Sequence, residues 1–199
     1  YEVAFNPVTC QSAGSTEETI QIIQVINPVV GFSYNTTSIC QNALPSTLTP
    51  TLDAGFSTFA QFSVTPSTGL SINTTTGVIN LAASTAGIYQ IVVDVTADAA
   101  TCRVPATSAT FTLEIKPVIT PVVSFSYNSP VCAFNADNLQ SPILAAGFTT
   151  GGVFSSSTGL AVNAADGVIT VSGSQPDTYT VFYHIDANAS TCQLVGDSQ

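Results

Sequence analysis

A chain of 199 residues with only two basic side chains, Arg103 and Lys116, against twelve acidic ones carries a net charge of −10. Two cations cannot form a basic track, which excludes nucleic-acid binding through phosphate neutralisation and attraction to anionic lipid. Charged residues are 7% of the chain, so the surface must be built from hydroxyls and amides, while a hydrophobic content of 45% is enough to build cores.

In chain order the sequence reads as short apolar runs separated by Gly, Pro, Asn, Ser and Thr, the all-β pattern, with no convincing helix. The first 27 residues fit the end of a module. YEVAFNPVTC at 1–10 resembles the segment from Tyr89 to Cys102, and ETIQIIQVI at 18–26 resembles ATFTLEI at 109–115. Strands are predicted next at 29–35, 47–53, 58–64, 69–73, 77–81, 87–96 and 109–116. A second set is predicted at 122–128, 140–145, 151–156, 159–163, 167–171 and 177–186. No apolar run reaches the length of about 18 residues that a membrane-spanning helix needs.

The two sets are copies. PVVGFSYN at 28–35 returns as PVVSFSYN at 121–128, STGLSINTTTGVI at 67–79 as STGLAVNAADGVI at 157–169, and GIYQIVVDV at 87–95 as DTYTVFYHI at 177–185. Gly69 and Gly159, Gly77 and Gly167, Tyr89 and Tyr179, and Cys102 and Cys192 are each 90 positions apart. Self-similarity at a fixed period is the signature of a modular array. The expected organisation is a fragment of a preceding repeat at 1–27, a complete repeat at 28–117, and a second repeat at 118–199 that lacks its final strand. The chain thus reads as a window cut from a longer array. Seven short strands in about 90 residues predict tandem immunoglobulin-like β-sandwiches. Pro-containing linkers at 26–30 and 116–123, with no Gly/Ser tether, predict an extended rod that grows by about 35–40 Å per repeat.

Five cysteines occupy two repeat positions: Cys40 and Cys132 share one, and Cys10, Cys102 and Cys192 the other. The economical pairing is Cys40 with Cys102 and Cys132 with Cys192, leaving Cys10 to a partner outside the window. Each loop of about 60 residues so closed would stabilise its module by about 4 kcal/mol. Disulfides imply an oxidising compartment, and the absence of CxxC spacing disfavours a metal site.

Gly77 and Gly167 follow NTTT and NAAD between two short strands, where a left-handed turn requires glycine. Gly69 and Gly159 open the paired GL segments and serve similar turns. Tyr89 and Tyr179, early in the longest strand, suit a tyrosine-corner role, with the ring in the core and the hydroxyl on a backbone group. Phe32, Tyr34, Phe125 and Tyr127 alternate along the first strand and are expected to face a sheet interior.

No residue set points to catalysis. The single histidine, His184, stands where the other repeat has Asp94, so it reads as a solvent-facing strand residue. No cofactor is expected. Calcium is the one ion for which a case exists, because sandwich arrays can hold it with carboxylates between modules. The weak candidates are Asp94, Asp98 and Asp186, with Asp53, Asp137 and Asp166 scattered, and the preferred reading of all of them is solvated loop acids. Asn35, Asn73 and Asn188 begin N-x-S/T triplets, read here as turn chemistry.

The segments STGLSINTTTGVINLAASTAGIYQIVVDVT at 67–96 and STGLAVNAADGVITVSGSQPDTYTVFYHI at 157–185, with PVVSFSYNSPVC at 121–132, resemble repeats of the SprB-type gliding-motility surface adhesins of Bacteroidota. The resemblance covers both repeats. It implies export by type IX secretion, display at the bacterial outer membrane, and a filament moved along the cell by a motor. The partners it implies are the gliding and secretion machinery.

The function expected is therefore a non-catalytic segment of a cell-surface filament. Its partners are neighbouring repeats and an extracellular surface or polysaccharide, with no nucleic acid and no membrane insertion by this segment. The alternative is a spacer or carbohydrate-binding module of a secreted polysaccharide-degrading enzyme. It is disfavoured because the chain has no Trp and most of its Phe and Tyr fall on core-patterned strands. A third reading, less favoured than a simple cut, is head-to-tail strand exchange: the first fragment offers final strands and the last repeat lacks one. Any recognition surface is expected where the copies differ, as in the loops around 41–50 and 133–142.

Overall fold

The computed structural model describes residues 2–3, 14–132 and 139–198, so Cys10 and Asp137 lie outside the described residues. The described chain is built from strands in several sheets, with one 3-10 turn at Val171–Gly173. β1 (Glu2–Val3) pairs antiparallel with β2 (Gly14–Ser15). Then follow β3 (Phe32–Ser33), β4 (Ser38–Cys40), β5 (Thr47–Leu48), β6 (Thr51–Leu52), β7 (Gln61–Thr65), β8 (Ile79–Asn80), β9 (Gly87–Val95), β10 (Ala106–Thr107) and β11 (Phe111–Lys116). The remaining strands are β12 (Phe125–Ser126), β13 (Leu139–Gln140), β14 (Ile143–Leu144), β15 (Val153–Ser156), β16 (Ile169–Thr170), β17 (Val181–Ile185) and β18 (Gly196–Ser198).

β9 organises the first module. β7 pairs antiparallel along one of its edges, and β10 and β11 share the other. β4 then adds to the free edge of β11 in parallel, with Ile39 opposite Ile115 and Cys40 opposite Lys116. Alternation sets the inner face: Tyr89, Ile91, Val93 and Val95 of β9 are buried, as are Leu113 and Ile115 of β11. The ladders β3–β6 and β5–β8 supply Phe32, Leu48 and Ile79 to the same core. Phe32 stands edge-on to Phe62 at a centroid separation of 5.2 Å, a favourable aromatic geometry.

The second module repeats these pairings. β12–β14 matches β3–β6, β13–β16 matches β5–β8, and β15–β17–β18 matches β7–β9–β10. Counterparts of β4 and β11 are absent among the described residues. The consequence is a smaller core. Phe154, Tyr183 and Ile185 form its buried cluster, against thirteen residues in the first module's cluster.

Several predicted strands change. Over 69–73 no strand forms, and Ile72 makes only an isolated bridge to Ile79. The intervening NTTTG closes a tight turn instead: the Asn73 side-chain oxygen accepts from the N–H groups of Thr75 and Thr76, both at 2.9 Å. The run predicted at 177–186 is a strand only over Val181–Ile185. In the first module the equivalent stretch, Gly87–Ile91, is held by β11. β4 and β10 are too short to show in hydrophobic alternation, and no strand was expected at either.

Candidate functional site

One turn recurs where each module meets the segment that leads into it. DAATC at 98–102 and NASTC at 188–192 build identical turns at its two occurrences. Asn188 and Gln193 exchange both backbone hydrogen bonds, at 2.9 and 3.0 Å, as Asp98 and Arg103 do at 3.0 and 2.9 Å. The acceptor oxygen of the first side chain fixes the bend: Asp98 Oδ1 accepts from the Ala100 N–H, and Asn188 Oδ1 from the Ser190 N–H, both at 3.0 Å. The turn leaves its cysteine in the left-handed region, at φ 55° for Cys102 and 61° for Cys192. Both turns grip the segment that leads into their own module. Ile119 donates to the Cys192 carbonyl at 2.9 Å and accepts from Leu194 at 2.9 Å. Ile26 donates to the Cys102 carbonyl at 3.0 Å and accepts from Val104 at 3.1 Å.

The disulfide expectation is corrected here. Cys40 is bonded to Cys192, with Cα atoms 5.5 Å apart and 152 positions between them in sequence, whereas Cys102 and Cys132 are free thiols. Geometry within the first module forbids the Cys40–Cys102 pairing, and Cys192, being bonded to Cys40, is not paired with Cys132. Cys40 lies beyond the Gly87 end of β9 and Cys102 beyond its Val95 end. That strand spans about 26 Å, and a disulfide tolerates at most about 7 Å between Cα atoms. The linker after β11 instead carries the Cys192 turn of the second module alongside Cys40 of the first. Cys10 lies outside the described residues.

The glycine turns sit where left-handed backbone is needed. Gly77 and Gly167 have φ of 70° and 71°, and Gly69 and Gly159 have φ of 95° and 107°. Gly77 also sits against the Phe62 ring, and its carbonyl accepts the Tyr34 hydroxyl at 2.6 Å. Tyr127 and Gly167 make the same bond at 2.5 Å. Burial pushes both phenols up from their ordinary pKa, with Asp166 adding to the effect at Tyr127. Tyr89 and Tyr179 donate to the carbonyls of Thr85 and Gln175 at 2.9 and 2.7 Å, each four residues upstream.

The carboxylates named from sequence are engaged locally and are not brought together. Asp94 accepts from Ser63 Oγ at 3.0 Å. Asp98 accepts from Thr101 Oγ1 at 2.9 Å, and this bond, with that of Ala100 and the nearby Arg103, holds its carboxyl below the usual value. Asp186 lies 3.1 Å from His184 Nε2, and Asp197 lies 2.6 Å from His184 Nδ1. No group of three or more His, Cys, Asp or Glu side chains placed to hold a metal ion is found among the described residues. The Arg103 guanidinium rests 4.3 Å from the centroid of the Phe59 ring, and its Nε donates to the Thr96 carbonyl at 3.0 Å.

Sequence reasoning missed a groove of about 470 Å³ in the second module. Tyr127, Val131, Leu160, Val171, Tyr179 and Val181 are among the residues that line it. Of the variable loops, 133–138 lies outside the described residues, while Gln140 contributes to the groove.

No helix among the described residues is long and apolar enough to cross a membrane. No protein-family model matches the chain, and no curated protein matches it.

Proposed function

We propose that residues 28–117 and 118–199 are tandem immunoglobulin-like sandwich repeats of an extended cell-surface adhesin filament, acting without catalysis. The observation that carries this reading is the Cys40–Cys192 bond. It crosses the linker and joins two modules in series, which a filament under tension needs and an isolated binding module does not. Force applied to the chain ends passes through the disulfide, so residues 41–191 are shielded from it. The oxidising compartment that such a bond requires agrees with display outside the cytoplasm. The low charge and hydroxyl-rich exterior suit the same location.

The resemblance to SprB-type repeats adds outer-membrane display, type IX export and coupling to a gliding motor, with an extracellular surface or polysaccharide as the adhesive target. The carbohydrate-module alternative wants an exposed aromatic platform. Phe32, Tyr34, Phe62, Phe111, Phe154 and Tyr183 are instead packed edge-on or tilted against one another in the cores, which weighs against it.

Antibodies against this chain, applied to intact cells that produce it, test the reading. Labelling of long surface fibres, with antibody-coated beads carried along the cell, is expected. Labelling confined to a secreted polysaccharide-degrading enzyme would overturn it.

A further inference from the structure

We propose that the Cys40–Cys192 bond is a redox lock on the joint between the modules: intact, it holds them in one orientation, and reduced by a dithiol, it frees them to pivot about Pro117 and Val118. The proposal stands on the geometry of the joint and does not need the adhesive reading.

Each module has its own core. The apolar cluster of the first runs from Val30 to Ile115 and that of the second from Val123 to Ile185, and no residue belongs to both. No sheet among the described residues contains strands of both modules. Backbone pairing ends on either side of the joint. Lys116 closes β11 opposite Cys40, and its carbonyl accepts from the Gln41 N–H at 3.0 Å. Ile119 belongs to the second module, donating to the Cys192 carbonyl at 2.9 Å. Only Pro117 and Val118 separate these two anchors in sequence.

A residue has two soft dihedrals, and proline fixes its φ. Rotation about ψ of Pro117 and about φ and ψ of Val118 therefore swings one module against the other. The disulfide closes this short linker into a ring. The ring passes from Cys40 to Lys116 across the ladder, through Pro117 and Val118 to Ile119, across the hydrogen bond to Cys192, and back through the two sulfurs. The bonded Cα atoms are 5.5 Å apart, and a disulfide tolerates at most about 7 Å. Any pivot that parts Cys40 from Cys192 is thus blocked while the bond is intact. The turn of the second module is seated against the bond, with the Ala189 carbonyl oxygen 3.2 Å from the Cys40 sulfur.

Burial decides which sulfur a reductant meets. Cys192 is 3% exposed, whereas Cys40 is half-buried, so a thiolate of the dithiol attacks the Cys40 sulfur. The S–S bond breaks as the new one forms, and the Cys192 sulfur leaves as a thiolate that takes up a proton. The second thiol of the dithiol then attacks the mixed disulfide, releasing Cys40 as a thiol and closing the disulfide of the reagent. Two electrons and two protons pass from the dithiol to the protein. Because the bond joins two cores and closes neither, its loss changes the orientation of the modules and leaves each fold in place.

The test uses the full chain with Cys10→Ser, Cys102→Ser and Cys132→Ser, so that Cys40 and Cys192 are its only cysteines. Residual dipolar couplings of the backbone amides are measured before and after addition of dithiothreitol. In the oxidised chain the amides of β9 and β11 and those of β15 and β17 should fit one alignment tensor. After reduction each module should keep its amide shifts away from the joint and fit a tensor of its own, of different magnitude. Adding Cys40→Ser and Cys192→Ser to this chain should give the two-tensor result with or without dithiothreitol. Two tensors in the oxidised chain would show that the bond does not lock the joint. One tensor after reduction would show that other contacts hold it. Loss of either module's dispersed amide shifts, on reduction or in the Cys40→Ser, Cys192→Ser variant, would make the bond a stabiliser of the fold. Each of these results would overturn the proposal.

Discussion

Cys40 and Cys192 are bonded across the module boundary, with 152 positions between them and Cα atoms 5.5 Å apart. The bond links the end of β4, which lies beside the last strand of the first module, to the turn that grips the linker of the second. The short linker is thus held twice, by backbone pairing at Ile119 and by a covalent bridge beside it.

This relationship governs the response to force. A single chain pulled from its two ends in oxidising buffer cannot extend residues 41–191, because the disulfide closes that path. The double variant Cys40→Ser, Cys192→Ser should release roughly 500 Å of additional contour length, at about 3.3–3.6 Å per residue. Force spectroscopy reads the difference directly, and equal extensions for the two proteins would show that the bridge carries no load.

Replacing Tyr34 by Phe removes the hydroxyl that donates to the Gly77 carbonyl at 2.6 Å and leaves that acceptor without its partner in a buried place. The expected loss is about 1–3 kcal/mol in urea denaturation. Tyr127→Phe should cost less, because Tyr127 and its bond to Gly167 are only partly buried.

Gly77 and Gly55 offer a controlled comparison. Both are left-handed, with φ of 70° and 79°, but a Cβ at Gly77 would meet the Phe62 ring, whereas one at Gly55 would meet nothing within 4 Å. Gly55→Ala should cost only backbone strain, about 1 kcal/mol. Gly77→Ala should cost more by about 1–3 kcal/mol, the usual penalty of overpacking. Equal destabilisation would place the need for glycine in the backbone alone.

His184 should titrate above its ordinary value of 6.5, first because of its hydrogen bond to Asp197 and then because of that to Asp186. The stability from this pair is complete below about pH 6.5 and is lost as pH rises through the higher folded-state value. As the only histidine in the chain, it gives a single imidazole signal in an NMR titration. Asp197→Asn should move that midpoint down, and an unmoved midpoint would remove the carboxylate as its cause.

The sequence made the all-β architecture legible because β9 and its partners alternate with a strict period of two, as in Tyr89, Ile91 and Val93. It also located the glycine turns, since Gly77 and Gly167 recur in the same context with φ near 70°. Cysteine connectivity was not legible. The spacing of Cys40 and Cys102 within one repeat looks natural, and only the parallel placement of β4 beside β11 shows that Cys40 faces the next module. The groove was not legible, because residues as far apart in sequence as Tyr127 and Tyr179 line it together only in the fold.

The central claim is that successive modules are covalently joined through a Cys40–Cys192 bridge. Peptide mapping of the protein, alkylated before digestion and never reduced, tests it most directly. The account predicts a linked pair of peptides containing Cys40 and Cys192, with Cys102 and Cys132 alkylated in the single chain. Cys40 joined to Cys102, or Cys40 and Cys192 both alkylated, would contradict it.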